Sequence, residues 1–198
     1  MSLADTLREA LELGRRREIV LLEGDDVLED GGGAVTPAAV LVPVVDRSEP
    51  TVILTERPLT MRKHPGQISF PGGRIDPDDD GPVAAALREA EEEIGLPQSQ
   101  VEVIGIADRY RTITGFEVTP VVGVLPAGLD LRPHPGEVAD MFEAPLRFLL
   151  DPARHFVRTA HYRGRERCYY EIMWDERRIW GATAAMIVNL SRRLELAA

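Results

Sequence analysis

Residues 81–95 constrain the fold more than any other part of the chain. Gly81-Pro82 opens the stretch, an alanine-rich middle follows, and Gly95 ends it. Proline is preorganised for the first helical turn, and glycine takes the left-handed conformation that stops a helix, so the punctuation predicts a helix over 81–94. Short apolar, β-branched runs surround it: 38–45 and 51–55 before, 101–107 and 116–125 after. The polar turn 46–50 makes the first two a hairpin. A short helix over 144–150, beginning at or beside Pro145, is followed by two strands, near Ala160 and over 167–173. A final helix spans 182–194. At the N-terminus Leu3, Leu7, Ala10 and Leu11 share one stripe of a helix over 2–17. Strands before, between and after helices predict an α/β chain: a mixed β-sheet covered by helices in an α/β/α sandwich.

The segment 23–36 is acidic and contains Gly31-Gly32-Gly33, the composition of a loop or linker. It divides the 198 residues into an N-terminal helix with its acidic loop, 1–33, and a main unit, 34–198. Apolar content of 44% is enough to build a core. A net charge of −10 argues against nucleic-acid or anionic-membrane partners, which need basic surface. No apolar run is long enough to span a bilayer. With Cys168 the only cysteine, no intrachain disulfide can form, and a cytoplasmic location is expected.

The helix over 81–94 carries its chemistry at its last turns, where Arg88-Glu89-Ala90-Glu91-Glu92-Glu93 crowds four carboxylates. The C-terminus of a helix is its negative pole, so acids there are unfavourable. Glu89, Glu92 and Glu93, at i, i+3 and i+4, also repel one another. A solvated acidic face is the ordinary outcome for such a run. A bound cation is the alternative, and hard carboxylate oxygens without Cys or His suit Mg²⁺ or Mn²⁺. Arg88, one turn before Glu92, can hold a carboxylate in a bidentate pair. Upstream, Phe70-Pro71-Gly72-Gly73 is a turn whose glycines let backbone pass close to a metal or phosphate. The stretch 57–74 holds Arg57, Arg62, Lys63 and Arg74, with His64 and no acid, a positive rim suited to several phosphates.

Arg88, Glu89, Ala90, Glu92, Glu93, Gly95 and Leu96 match the second half of the Nudix box: Gly, five residues, Glu, seven residues, Arg-Glu-U-x-Glu-Glu-x-Gly-U, with U apolar. The first half departs from it, because fourteen residues separate Gly73 from Arg88 where the box has thirteen. The box glutamate therefore falls on Asp79 or Asp80, either of which could instead cap the helix. Ile53-Leu54-Thr55-Glu56-Arg57-Pro58, then Arg62, Gly66 and Phe70-Pro71-Gly72-Gly73, resembles the signature of the coenzyme A diphosphatase branch of that family. All its spacings match, with Pro58 in place of a serine. The segment 108–120 and Ile179-Trp180-Gly181-Ala182-Thr183-Ala184 look similar to the same branch.

The resemblance implies a Nudix fold and hydrolysis of the pyrophosphate of CoA, oxidised CoA or acyl-CoA, giving 3′,5′-ADP and 4′-phosphopantetheine or its acyl form. It implies Mg²⁺ or Mn²⁺ held by Glu89, Glu92 and Glu93, with Arg57, Arg62, Lys63, Gly66, Phe70, Gly72 and Gly73 on the substrate. Glu92, Glu93, Arg88 and Glu137 would form the catalytic set. The general base falls to Glu93 or to Glu137, with Glu143 as a more structural third. Two other readings stand beside this one: a Nudix hydrolase for ADP-ribose or a nucleotide sugar, and an inactive Nudix binding domain. A homodimer is the expected oligomeric form.

Overall fold

The computed structural model describes residues 1–22, 35–61, 64–162 and 164–195. Most of the acidic Gly-rich loop, together with Arg62 and Lys63, lies outside the described residues. The chain begins with α1 (Leu3–Arg16), started by a reciprocal cap in which Ser2 and Asp5 each accept the other's backbone amide. Six β elements and one helix lead to the longest pairing of the fold: β1 (Thr36–Asp46), β2 (Thr51–Glu56), β3 (Ile68–Ser69), β4 (Gly72–Arg74), α2 (Gly81–Ile94), β5 (Glu102–Ile106) and β6 (Tyr110–Arg111). β7 (Phe116–Pro126) then runs parallel to β1 along its whole length. β8 (Asp140–Pro145), α3 (Leu146–Leu150), β9 (Phe156–Tyr162), β10 (Arg165–Trp174), β11 (Arg177–Trp180) and α4 (Ala182–Leu194) complete the chain.

The main sheet has eight strands, with β1 at its centre between parallel β7 and antiparallel β2 and β4. Period-two alternation along β1 and β7 separates two cores. Ala39, Leu41, Val45, Val121 and Leu125 face α2 through Ala85, Ala86, Ala90 and Ile94. Ala38, Val42, Val44, Val118 and Val122 face the other way, towards Leu7 and Leu11 of α1 and Ile187, Leu190 and Leu194 of α4. The expected α/β/α sandwich is therefore present, and α1 belongs to its larger core. The second sheet, β9-β10-β11, is antiparallel and buries Ile172 and Ile179 in that same core.

The hairpin β1–β2 and the helices α2 and α4 agree with the sequence reading. Five strands do not appear in it: β3, β4, β6, β8 and β11. Among the described residues β8 is an edge strand that pairs only with β2, and Asp-Met-Phe-Glu-Ala-Pro has neither β-branching nor clean alternation to announce it. β11 is four residues, two of them arginine, and is held in place by β10.

Candidate active site

Two glycines on β4 bring backbone against the acidic helix. β4 pairs with β1 so that Gly73 stands opposite Ala39 and Gly72 opposite Val40. A Cβ on Gly72 would collide with the Ala39 carbonyl, and one on Gly73 would lie 2.5 Å from Glu89 Oε1. The space a side chain would take is filled by the Glu89 carboxylate. The amide of Gly72 donates to Glu93 Oε2 at 3.0 Å.

Arg88 organises the remaining acids. Its Nε and Nη2 donate to both oxygens of Asp79, each at 2.9 Å, and Nη2 also reaches the Arg74 carbonyl at 3.2 Å. Its Nη1 is shared by Glu89 Oε1 at 3.0 Å and Glu92 Oε2 at 3.1 Å. This bidentate pair settles the roles of the two aspartates. Asp79 is Arg88's partner, and the guanidinium holds its carboxyl below the usual range. Asp80 occupies the N-cap position of α2 without a side-chain cap bond, so neither aspartate caps the helix. Arg88 is in turn held even more firmly protonated than usual, chiefly by Asp79.

The end of α2 is less hostile to acids than a bare helix terminus. Gly95, at φ 67°, donates to the carbonyls of Ala90 and Glu91. The loop before β8 reaches back, with Arg132 N–H on the Ile94 carbonyl at 2.9 Å and His134 N–H on that of Glu93 at 2.8 Å. These amides satisfy carbonyls that carry the negative pole. The three glutamates are also unequal: Glu93 is 5% exposed, the Glu89 side chain 16% and that of Glu92 59%.

Burial pushes the Glu93 carboxyl up to about 7; the Gly72 amide and Arg57 pull it down, while Glu89 and Glu137 push it further up. Glu89 is raised for the same leading reason, with Arg88 opposing and Glu92 and Glu137 adding to the rise. Glu137 thus lies within electrostatic reach of both, on an exposed turn whose amide donates to the His134 carbonyl at 3.0 Å. The charge of Arg57 reaches Glu93, and among the described residues its buried Nε has no hydrogen-bond partner. An unpaired buried donor is costly unless a ligand completes it.

A family model described as the NUDIX domain matches residues 35–159, well over half of the chain. The chain is a member of the Nudix family. Proteins named uncharacterized Nudix hydrolase NudL are similar to it over most of its length. The one from Escherichia coli (strain K12) is 42% identical over 157 residues, covering 79% of this chain and 82% of the relative. That from Cronobacter sakazakii is 44% identical over 157 residues, with coverage of 79% and 82%. Among solved structures, the Nudix hydrolase RenU from M. smegmatis aligns with a TM-score of 0.49 at 24% identity, over 58% of this chain and 73% of that one.

Gly66, Phe70 and Glu143, also singled out in the sequence, have local structural settings. Gly66, at φ 66°, closes the loop after β2 by donating to the Arg57 carbonyl at 3.1 Å, and Arg57 donates to Gln67 at 3.0 Å. Phe70 is 2% exposed in the larger core, so its side chain anchors Pro71-Gly72-Gly73 from beneath and offers no face to a ligand. Glu143 is held by Arg47 through two hydrogen bonds, at 2.9 and 2.8 Å, and by the Thr51 hydroxyl. It is a structural acid on β8.

Among the described residues, no three Asp, Glu, His or Cys side chains converge as a ready cation site. Arg88 Nη1, shared between Glu89 and Glu92, occupies part of that role. The donor chemistry nevertheless fits a hard divalent cation: oxygens only, on two carboxylates that burial holds above their ordinary values against a glycine backbone. What sequence reasoning missed are the backbone amides of Arg132 and His134 that cap α2. No side-chain signal announces them, since every non-proline residue carries such a group.

Proposed function

We propose that the protein is a divalent-cation-dependent hydrolase that cleaves the pyrophosphate of CoA and its derivatives into 3′,5′-ADP and 4′-phosphopantetheine or its acyl form. The observation that carries this reading is Arg57. Its charge reaches Glu93 and its buried Nε has no partner among the described residues, at the start of the loop whose spacing resembles the CoA diphosphatase signature. A phosphate oxygen is the ligand that would complete it.

Glu89 and Glu93, joined by Glu92, would hold Mg²⁺ or Mn²⁺. When bound, such a cation neutralises diphosphate charge and makes water a stronger acid. Arg88 keeps Glu89 and Glu92 oriented while its own charge is balanced by Asp79. Arg57 binds phosphate and, with Arg62 and Lys63, turns a diphosphate ester toward the acids. The proton of the attacking water goes to Glu137 or Glu93. Glu137 is exposed and able to exchange with solvent, whereas Glu93 is buried against Gly72.

Incubation with Mg²⁺ and CoA, oxidised CoA, acetyl-CoA or ADP-ribose in turn, with products separated by HPLC, tests the reading. Release of 3′,5′-ADP from a CoA species is the expected result. Cleavage of ADP-ribose with every CoA species intact would overturn the substrate assignment in favour of the ADP-ribose reading. No cleavage of any of them would favour an inactive binding domain.

A further inference from the structure

The segment from Arg177 to Thr183 lies beyond the region matched by the family model, which ends at residue 159. It nevertheless touches both flanks of the strand that delivers Arg57. Three strand ends meet at Glu56, the last residue of β2. On one side Glu56 pairs with Ile68 of β3, which leads to Gly72-Gly73. On the other it pairs with Asp140 of β8, three residues after Glu137, and its carbonyl accepts the Ala139 amide at 2.8 Å. The next residue along its own strand is Arg57.

Arg177 stands at the start of β11, after the turn Asp175-Glu176, where Asp175 has φ 53°. Its Nη1 donates to Glu56 Oε2 at 3.1 Å and its Nη2 to Asp140 Oδ2 at 2.6 Å. Its guanidinium carbon lies 4.1 Å from the centroid of the Phe142 ring, two residues along β8. Register partners in an antiparallel pair project from the same face, so one guanidinium spans the pair Glu56–Asp140 and stacks on its neighbour. Six residues later the buried Thr183 hydroxyl donates to the Ile68 carbonyl at 3.0 Å. The second sheet and the first turn of α4 thus grip β8 and β3 on either side of Glu56.

We propose that Arg177 is a positioning residue for the active site: by bridging Glu56 and Asp140 it sets the relation between Arg57 and Glu137. Its ion pairs are partly solvated, and such pairs add little to stability. Their value is geometric, because a planar fork fixes two carboxylates at once where a lysine fixes one. The proposal rests on the assignment of Arg57 and Glu137 to the active site, but not on which diphosphate is cleaved.

The test compares Arg177→Gln and Arg177→Lys with Arg47→Gln, which breaks a bidentate pair at the far end of the same strand β8. NMR hydrogen exchange at the Ala139 amide reads the bridge without substrate. Exchange is expected to speed up about tenfold or more in Arg177→Gln and to stay as in the parent in Arg47→Gln. Turnover of CoA, or of ADP-ribose if that is the compound cleaved, is expected to fall about ten- to a hundredfold in Arg177→Gln, less in Arg177→Lys, and to hold in Arg47→Gln. The loss in kcat should be largely absent on a Glu137→Gln background, because Arg177 acts through that residue. Unchanged Ala139 exchange in folded Arg177→Gln overturns the proposal whatever the substrate. So does a kcat loss that adds fully to that of Glu137→Gln. Should Arg177→Gln fail to fold, Asp140→Asn removes the same bond from the other side and is read by the same exchange measurement.

Discussion

Replacing Glu93 by glutamine is expected to stabilise the metal-free protein at neutral and alkaline pH. Glu93 is buried with Glu89 and Glu137 nearby, and its carboxyl titrates at about 7 in the folded chain against an ordinary 4.5. Between those two values the folded state holds a proton that the unfolded state has released. Stability must therefore fall as pH rises through this window, and it is fully present only below 4.5. At 1.36 kcal/mol per pH unit the displacement corresponds to about 3 kcal/mol. Glutamine keeps an oxygen for the Gly72 amide and removes the charge, so the variant should lack this slope.

Urea unfolding in EDTA at pH 5 and pH 8 measures it. The difference between wild type and Glu93→Gln cancels Asp79 and Glu143, whose values are lowered, and reads Glu93 together with its coupling to Glu89 and Glu137. The variant should gain about 2.5 kcal/mol relative to wild type on going from pH 5 to pH 8, since pH 5 already lies above the lower end of the window. Mg²⁺ should restore wild type at pH 8 by binding the folded state and stabilise the variant less. A variant that follows wild type at both pH values would refute the argument that a buried, charged Glu93 destabilises the fold.

Three further outcomes follow from the same geometry. Gly73→Ala should reduce kcat about a hundredfold while melting within a few degrees of wild type, because the added methyl displaces the Glu89 carboxylate; a steady-state assay with a thermal melt checks both. Glu92→Gln should lower turnover far more than substrate affinity, since charge near the diphosphate matters most in the transition state; near-normal kcat in that variant would remove Glu92 from the metal set. Arg57→Ala should raise KM about tenfold or more, the loss of one charge-assisted contact, and isothermal titration with 3′,5′-ADP in Mg²⁺ reads the same change in affinity.

Where local physics decided an element, the sequence was legible. α2 begins and ends where its Pro82 and Gly95 indicated, and β1, β7 and α4 follow their apolar runs. β8 and β11 were not legible because they exist only through their neighbours, β2 and β10. The site shows the same division. The glycines and glutamates were readable as types at a spacing, yet Asp79 and Asp80 were equivalent in one dimension. Only the three-dimensional reach of Arg88 separates them, nine residues away from the aspartate it binds. Phe70 belongs with these: an aromatic beside Gly-Gly looks available to a ligand until its 2% exposure shows it holding the turn from within.

The acids at the end of α2 can now be explained in energetic terms. Four carboxylates at a negative helix pole are tolerated because the pole is weakened and three of the four have a side-chain partner. The carbonyls of the pole are capped by Gly95, Arg132 and His134, which weakens the field itself. Glu89 and Glu92 share the charge of Arg88, and Glu91 accepts from Gln98 at 2.8 Å. Glu93 has only the Gly72 amide and the nearby charge of Arg57, which leaves its carboxyl raised. Repulsion is thus offset at most of the cluster, and burial leaves Glu93 the least compensated carboxylate, within electrostatic reach of Arg57, whose buried Nε has no partner among the described residues. A cation and a phosphate would relieve both together, which is why the residual strain of this fold and its chemistry belong to the same few side chains.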